Sequence, residues 1–256
     1  MVAGFAAGSL DGRMRHLRLE TLERRDLLTA LRVVAWNTEN RPNDAAEEAD
    51  YATIFEAIGL ESVAGNALPV SVLAVQETDL PGSGNDSLGR IESVLDGLYT
   101  STDYATAISG LDGGGDATGF VYDTSQVSLL NTVDLGNADF THNILRGEFR
   151  PADTAGESDF YIYSVHLKSG NSNSDGTIRG NEAAFLRANA DALGEGANVL
   201  FVGDFNLQGS SEQAWTELVV TPGAGQVRDV ADAPGEWNDN PAFLSWPSPL
   251  KLIHLL

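Results

Sequence analysis

Apolar runs that end in a polar residue recur along this chain and predict buried strands. The runs are Val33–Asn37, Val72–Glu77, Phe160–Lys168 and Val199–Asn206. Continuous β-branched and aliphatic residues over such lengths are typical of strands that are buried on both faces. The polar residue that closes each run is therefore expected at a sheet edge that faces solvent, which is where active sites collect.

Helical spacing of apolar residues alternates with these strands. One helix is predicted near Ala46–Leu60, a second begins with Ser87 as its cap, and a third covers Ile178–Leu193. The residues expected to face inward are Tyr51, Ile54, Phe55 and Ile58 in the first helix, Ile91, Val94, Leu95 and Leu98 in the second, and Ile178, Phe185, Leu186 and Leu193 in the third.

The centre of the chain has a different pattern, with short strands separated by Gly, Asp and Asn turns. An antiparallel meander is the pairing that this spacing favours. The predicted strands are Tyr104–Ser109, Gly119–Asp123, Val127–Val133, Asn143–Arg150 and Phe160–Leu167. Together with the strand and helix units on either side, they indicate an α/β fold.

The length of 256 residues and a hydrophobic content of 42% allow one substantial core, so we expect a single catalytic domain over residues 31–256. Residues 1–30 are interpreted as a leader. Residues 239–256 form an anomalous terminus, because no acidic residue follows Asp239 and three prolines interrupt any regular element. Such a terminus is typical of a clipped or frame-shifted chain.

The formal net charge is -22, and all of the negative excess lies after residue 30. A surface of this kind repels polyanions, so a nucleic acid or phospholipid substrate needs cations to offset the field. The simpler interpretation is solubility in a salty medium. The absence of cysteine excludes disulfides and thiolate metal sites. No apolar stretch approaches the roughly 20 residues that span a bilayer.

Five polar residues at the strand ends carry the candidate chemistry. Glu77 closes an apolar run and can bind Mg²⁺ through its carboxylate, and Asn37 can fix that carboxylate or contact the hydrated ion. Asp204 and Asn206, two residues apart after Gly203, can orient a water molecule and donate to a phosphoryl oxygen. His166 shares a strand face with Ser164 and can bind phosphate or donate a proton.

Each residue alone also has a structural interpretation. Asp204 and Asn206 can make turn hydrogen bonds, Glu77 can be a solvated strand end, and His166 can be a structural histidine. Arg146 is a further candidate for binding the phosphate, because basic residues are scarce in this acidic domain; the alternative interpretation is a surface ion pair.

Taken together, Trp36-Asn37, Gln76-Glu77, His166-Leu167-Lys168-Ser169 and Gly203-Asp204-Phe205-Asn206 resemble the motifs of the endonuclease/exonuclease/phosphatase superfamily, the DNase I-like proteins. The resemblance runs from about Leu31 to Trp215 and implies a four-layer α/β sandwich, with two facing mixed sheets flanked by helices. It implies a Mg²⁺-dependent phosphodiesterase, with Mn²⁺ or Ca²⁺ as alternatives. The implied metal residues are Glu77 and Asn37, and the implied catalytic residues are His166, Asp204 and Asn206.

One departure from that pattern concerns the end of the chain. The superfamily carries a further Asp and an Asp-His pair after its Gly-Asp-x-Asn motif, and no Asp-His dipeptide occurs here. We therefore expect a truncated chain that lacks its last strands. The expected activity is hydrolysis of nucleic acid by a nuclease; the alternatives are a phospholipid or sphingomyelin phosphodiesterase, or an inactive remnant that only binds metal or phosphate.

The leader also has a resemblance of its own. Residues 16–30 are similar to the Leu-Glu-x-Leu-Glu-x-Arg-x-Leu-Leu segment that begins many exported planctomycete proteins. An amphipathic first helix is the alternative interpretation. Because the apolar residues precede the basic ones, the order is wrong for an ordinary secretory signal. We expect a secreted or otherwise extracytoplasmic protein, acting as a monomer.

Overall fold

Two four-stranded β-sheets face each other, with helices on the outer surface of each, in the computed structural model of the chain. The structure describes residues 30–63, 65–80, 85–136, 141–152, 154 and 156–228. This arrangement confirms the predicted four-layer α/β sandwich. The leader, apart from Ala30, and the anomalous terminus at residues 239–256 lie outside the described residues, so the predictions about both remain predictions.

The predicted strands and helices occur in the predicted order, and three short elements, Ser62–Val63, Asn66–Ala67 and Gln213–Trp215, are additional. The regular elements are β1 (Val33–Asn37), α1 (Ala45–Leu60), β2 (Ser62–Val63), β3 (Asn66–Ala67), β4 (Val72–Thr78), α2 (Ser87–Leu98), β5 (Tyr104–Ile108), β6 (Ala117–Asp123), β7 (Val127–Asp134), β8 (Leu145–Pro151), β9 (Phe160–His166), α3 (Asn173–Asp191), β10 (Asn198–Asp204) and α4 (Gln213–Trp215). A 3₁₀ turn covers Gly156–Ser158, and a π-helical turn, Thr216–Val220, continues α4. None of the helices in the described ranges has both the length and the apolar character that crossing a bilayer requires.

The strand order is β1-β4-β6-β5 in the first sheet and β10-β9-β8-β7 in the second. The pairs β1–β4 and β9–β10 are parallel, and the other pairs within these sheets are antiparallel. The predicted central meander is therefore divided between the two sheets. The division falls at the turn after Asp123, whose carboxylate accepts the backbone N–H of Ser125 and the side-chain amide of Gln126.

Alternating residues of the buried strands serve two different cores. In β1, Val34 and Trp36 pack towards α1 and α2, whereas Val33 and Ala35 face the second sheet. Phe120 and Phe149 meet edge to face between the sheets, with ring centroids 5.4 Å apart. Burial of each such aliphatic or aromatic side chain stabilises the fold by about 1.5–3 kcal/mol. The prediction that these strands are buried on both faces is confirmed.

Helix α3 differs from its predicted form at both its start and its buried face. It begins at Asn173 because Ser172 and Asp175 form a capping box. Leu186 is fully buried against the second sheet, but Phe185, predicted to face inward, is 37% exposed. Successive helical residues are about 100° apart, so only one of these two neighbours can point at the sheet.

The start of α2 also corrects a prediction. Asp86, rather than Ser87, is the N-cap, and its carboxylate accepts the N–H of Gly89. Ser87 is the first helical residue, and its hydroxyl contacts the hydroxyl of Thr78 at 2.8 Å. This contact ties the helix to the end of β4.

Candidate active site

Four of the predicted site residues lie at the carboxyl ends of parallel strands and meet between the two sheets. Asn37 ends β1 and Glu77 is near the end of β4, while His166 and Asp204 end β9 and β10 and are partners in register. Asn37 Nδ2 donates to Glu77 Oε1 at 2.8 Å and approaches Asp204 Oδ2 at 3.3 Å. The second of these contacts joins one sheet to the other.

The amide of Asn37 has an orientation that its other hydrogen bond explains. Its Oδ1 accepts the backbone N–H of Glu39 at 3.1 Å, so its Nδ2 is turned towards the two carboxylates. The structure therefore places Asn37 as a donor that fixes Glu77. A role as a direct metal ligand, which would use the amide oxygen, remains a prediction.

Glu77 reaches the space between the sheets through an unusual backbone conformation. Val72 and Ala74 face the second sheet, and alternation places Gln76 on the same face. Glu77 has φ 51° at an irregularity in the pairing of β4 with β6, and its side chain also turns towards this end of the sheets. Such a backbone costs on the order of 1–3 kcal/mol and persists where the surroundings hold it. Thr38 and Asn40 do so, because both donate to the Glu77 carbonyl.

Gly203 makes the close approach of β10 to β9 possible. Its φ is 133°, and a Cβ at this position would lie 2.1 Å from the carbonyl oxygen of Val165. Asp204 follows directly, and its Oδ1 accepts the backbone N–H of Asn206 at 3.0 Å. Asn206 itself has φ 49° and donates its side-chain amide to the Leu167 carbonyl at 3.0 Å. The loop thus fixes both residues beside the end of β9.

His166 lies beneath this cluster and is only 3% exposed. Burial lowers its pKa to about 4, the neighbouring His142 adds to this effect, and Asp204 opposes it. His166 is therefore neutral at pH 7. Its Nε2 is 3.6 Å from Glu77 Oε1, which is longer than a hydrogen bond.

The structure brings a second histidine to the site that the sequence analysis missed. The ring of His142 stacks on His166, with centroids 3.8 Å apart and an interplanar angle of 7°. His142 Nδ1 lies 2.5 Å from Asp112 Oδ2. Asp112 and Asp116 belong to the loop between β5 and β6, and Asp116 Oδ1 accepts the side-chain amide of Asn40 at 2.8 Å.

The Asp112 carboxylate is ionised in this arrangement. Its burial raises the pKa, but the hydrogen bonds from His142 and from the backbone N–H groups of Asp116 and Gly114 outweigh that effect, and the pKa is lowered overall. One potential ligand atom from each of Asp112, Asp116 and His142 lies within 4.8 Å of the others. The sequence signal for these residues is the Asp-Gly-Gly-Gly-Asp run at 112–116, which has no strand or helix periodicity.

A buried glutamate of α3 holds two segments that border the site. Glu182 is 1% exposed, and its carboxylate accepts the backbone N–H of Thr141 at 3.1 Å and that of Lys168 at 2.8 Å. Arg179, one turn earlier, is equally buried and donates to the Lys168 and Gly170 carbonyls and to Glu212. The helix therefore anchors both the His142 segment and the loop after β9.

Arg146 is not brought to this cluster. Leu145 and Phe149 of β8 face the first sheet, so Arg146 points to the opposite face of the second sheet, towards α3. There its guanidinium donates to Asn189 Oδ1 at 2.8 Å and lies over the ring of Tyr161. These contacts explain the arginine without a phosphate.

Comparisons with known proteins gave matches among solved structures only. No family model and no curated protein sequence matched the chain. Similar structures include two endonuclease/exonuclease/phosphatase family proteins, from Bacteroides thetaiotaomicron (18% identity, TM-score 0.51) and from Bacteroides vulgatus (14% identity, TM-score 0.54). The human Nocturnin catalytic domain with bound sulfate is a third (16% identity, TM-score 0.51).

These matches cover 74%, 75% and 73% of this chain and 68%, 72% and 67% of the respective structures. The chain thus spans about two thirds of their length. Identity at this level speaks for the fold alone. The chain has the four-layer fold of the endonuclease/exonuclease/phosphatase proteins.

Proposed function

We propose that this protein is a metal-dependent hydrolase of phosphodiester bonds, with nucleic acid as its substrate. The observation that carries the proposal is the convergence of Asn37, Glu77, His166 and Asp204 at one end of the two sheets. These residues come from four strands and are far apart in the chain, yet hydrogen bonds and short contacts link them directly. If these residues only made turn hydrogen bonds or ended strands in solvent, they would not need to contact one another.

The charge of this cluster fits a divalent cation. Two carboxylates, Glu77 and Asp204, approach the same amide nitrogen of Asn37. Within the part of the chain that the structure describes, the only basic side chain at ion-pair distance from either carboxylate is His166, which is neutral at pH 7. Mg²⁺ is bound in proteins by one or two carboxylates together with substrate phosphate oxygens. Glu77, fixed by Asn37, would hold the ion, and the ion would supply positive charge against the phosphate.

The remaining residues have roles that follow from their positions. Asp204 is held by Asn37 and by the N–H of Asn206, so its carboxylate is fixed in place to orient a water molecule and accept its proton. Asn206 uses one amide hydrogen on the Leu167 carbonyl and retains a second for a phosphoryl oxygen. His166 is a neutral ring that can donate a hydrogen bond to phosphate without adding a charge.

We favour nucleic acid as the substrate class, and we propose that the protein is exported from the cytoplasm. The net charge of -22 means that the cation and the local donors must offset a repulsive field at long range. We therefore expect activity to depend strongly on the divalent ion. The leader-like segment at residues 16–30 supports export, and N-terminal sequencing of the protein from culture medium would test it.

The experiment that tests the function compares matched variants of the full chain on plasmid DNA and on bis(p-nitrophenyl) phosphate, with Mg²⁺ or Mn²⁺ and with EDTA. Glu77→Gln and Asp204→Asn should each reduce turnover by about 10²-fold or more, since each removes a charge that acts in the transition state. The control is Asp159→Asn. Asp159 pairs with Arg150 and precedes β9 directly, whereas His166 lies at the other end of that strand.

The outcome distinguishes the proposed enzyme from its alternatives. Hydrolysis that EDTA abolishes and that only the two site variants lose supports the proposal. Cleavage of sphingomyelin or phosphatidylcholine vesicles but not of DNA would replace nucleic acid by a lipid substrate. No hydrolysis by the unaltered chain, with Mn²⁺ or phosphate still bound in calorimetry, would contradict the proposal and favour an inactive remnant.

A further inference from the structure

Two stacked imidazoles at the proposed site have different surroundings. The inner ring, His166, is nearly fully buried, and its Nε2 is 3.6 Å from the Glu77 carboxylate. The outer ring, His142, has a side chain that is 14% exposed and a hydrogen-bonding contact of 2.5 Å with Asp112. The outer ring therefore has both access to solvent and a carboxylate partner.

Asp112 determines which nitrogen of His142 is available. An ionised carboxylate cannot donate, so the hydrogen in the 2.5 Å contact is on His142 Nδ1. The other oxygen of Asp112 accepts the backbone N–H groups of Gly114 and Asp116, at 2.7 and 3.0 Å, which fixes the carboxylate in turn. His142 is thus held in one orientation by the hydrogen bond and by the stack, with Nε2 as its remaining polar atom.

The position of His142 suits a reaction at the cluster. Its ring is one stacking distance, 3.8 Å, from His166, which in turn lies beside Glu77. Asp204, the residue that would orient the water, pairs in register with His166 in the neighbouring strand. A phosphate group at Glu77 would therefore lie beside His166, and the His142 ring stacks on that same residue.

We propose that His142, oriented by Asp112, is the proton donor to the leaving-group oxygen in the phosphodiester hydrolysis proposed above. The inference rests on that function and adds a residue which no motif in the sequence indicates. Asp112 does not contact the reacting atoms and is a positioning residue. A histidine whose Nδ1–H is held by a carboxylate reacts through Nε2, as a base when Nε2 carries no proton and as an acid when it does, and the role proposed here uses the ring protonated at Nε2.

The proposed step moves one proton from water to Asp204 and one from His142 to the leaving oxygen. The water oxygen forms a bond to phosphorus while the proton of that water passes to the Asp204 carboxylate. The bond from phosphorus to the leaving oxygen breaks and its electron pair goes to that oxygen. The oxygen takes the Nε2 proton of His142, which enters the step as an imidazolium and keeps its Nδ1 proton on Asp112. The products are an alcohol and a phosphomonoester, with His142 neutral and Asp204 protonated until both exchange protons with solvent.

The other interpretation of this cluster is a cation held by Asp112, Asp116 and His142. Hydrogen bonds already engage the groups concerned: Asp112 with His142 and two backbone N–H groups, and Asp116 with the amide of Asn40. These contacts favour the proton donor. The two interpretations also differ in metal binding, because replacing His142 would release a cation held by this cluster but would not change metal binding if His142 is a proton donor.

The test compares two diesters with the full chain and Mg²⁺ or Mn²⁺. One is the p-nitrophenyl ester of thymidine 5′-phosphate, whose leaving group is a stable anion that needs no proton. The other is a dithymidine phosphate, whose alkoxide must be protonated as it leaves. His142→Phe retains a planar ring on His166 but cannot donate a proton. We expect it to slow the dinucleotide by about 10²–10⁴-fold and the nitrophenyl ester by less than about tenfold.

Three further variants separate chemistry from structure. Asp112→Asn should show the same selectivity in weaker form, since it retains the ring but loses the carboxylate. Asn143→Ala is the structural control, because the Asn143 side chain donates to the Gly110 carbonyl and so ties the same segment to the loop of Asp112. It should slow both diesters equally. His142→Gln is a second substitution at the same position, in case His142→Phe unfolds the chain. Circular dichroism of every variant shows whether it is folded.

The results that would overturn the inference are specific. If His142→Phe and His142→Gln slowed both diesters equally, the role of the cluster would be structural. If both variants lost a tightly bound cation, its role would be metal binding. No effect on either diester would exclude His142 from the reaction. Failure of the unaltered chain on both diesters would overturn the proposed function itself, and this result is distinct from the other two.

Discussion

Gly203→Ala is the substitution for which the structure gives the sharpest expectation. The added methyl would lie 2.1 Å from the Val165 carbonyl oxygen and 2.9 Å from the Val165 nitrogen, whereas Cβ atoms essentially never lie within 3.0 Å of a non-bonded heavy atom. β9 and β10 must therefore separate by about 1 Å, a large fraction of the roughly 4.8 Å spacing between paired strands.

The cost of this separation has three contributions. Overpacking costs about 1–3 kcal/mol, the weakening of one or two ladder hydrogen bonds about 1 kcal/mol each, and an L-residue at positive φ about 1–2 kcal/mol. The sum is about 3–7 kcal/mol, which is much of the 5–15 kcal/mol that a typical domain has in total. We expect a partly unfolded protein, with the remaining folded fraction impaired because Asp204 and His166 are register partners across this gap.

Urea unfolding followed by circular dichroism measures this cost, and Gly196→Ala is the matched control. Gly196 also has a positive φ, 86°, but a Cβ there would meet nothing within 4 Å. The control should lose only the backbone contribution, about 1 kcal/mol. If the two variants lost the same free energy of unfolding, the close approach of β10 to β9 would not be what Gly203 provides, and the reasoning would be refuted.

Three further predictions concern burial and charge. Unfolding returns the pKa of His166 from about 4 to 6.5, so the unfolded chain binds more protons than the folded chain between these pH values. The free energy of unfolding therefore falls as the pH falls through that window. With EDTA present, His166→Gln should reduce this fall, and an unchanged pH profile would contradict the lowered pKa. Arg146→Gln should leave phosphodiester turnover unchanged, because its guanidinium is engaged by Asn189, and a loss beyond about tenfold would restore the phosphate role. Phe149→Ala should cost about 3–5 kcal/mol in urea unfolding because it opens the core between the sheets, whereas Phe185→Ala should cost far less, and similar costs would contradict the assigned burial.

The strand ends were predictable because their signal is local. A continuous apolar run followed by a polar residue places that residue at a sheet edge, whatever the rest of the chain does. Asn37, Glu77, His166 and Asp204 were found in this way, and the structure brings all four together. The four-layer arrangement came instead from the family resemblance, since the strand runs alone indicate only an α/β class.

Other positions needed information that no local pattern contains. Arg146 lies in a correctly predicted strand, but the face it occupies depends on which residues of β8 meet the first sheet. Phe185 was assigned inward for its hydrophobicity, although buried Arg179 and Glu182 occupy the α3 face with partners in distant loops. His142 and Asp112 belong to irregular segments, where spacing carries no periodic signal and proximity arises only in the folded chain.

The carboxylate of Glu182 has a consequence for how this domain can vary. It is shared by the segment that carries His142 and by the loop that follows His166, each through one backbone N–H. An insertion or deletion in either segment must keep its own N–H within reach of the same two oxygens. We therefore expect natural or engineered variants to change the lengths of these two segments together and to keep glutamate at position 182.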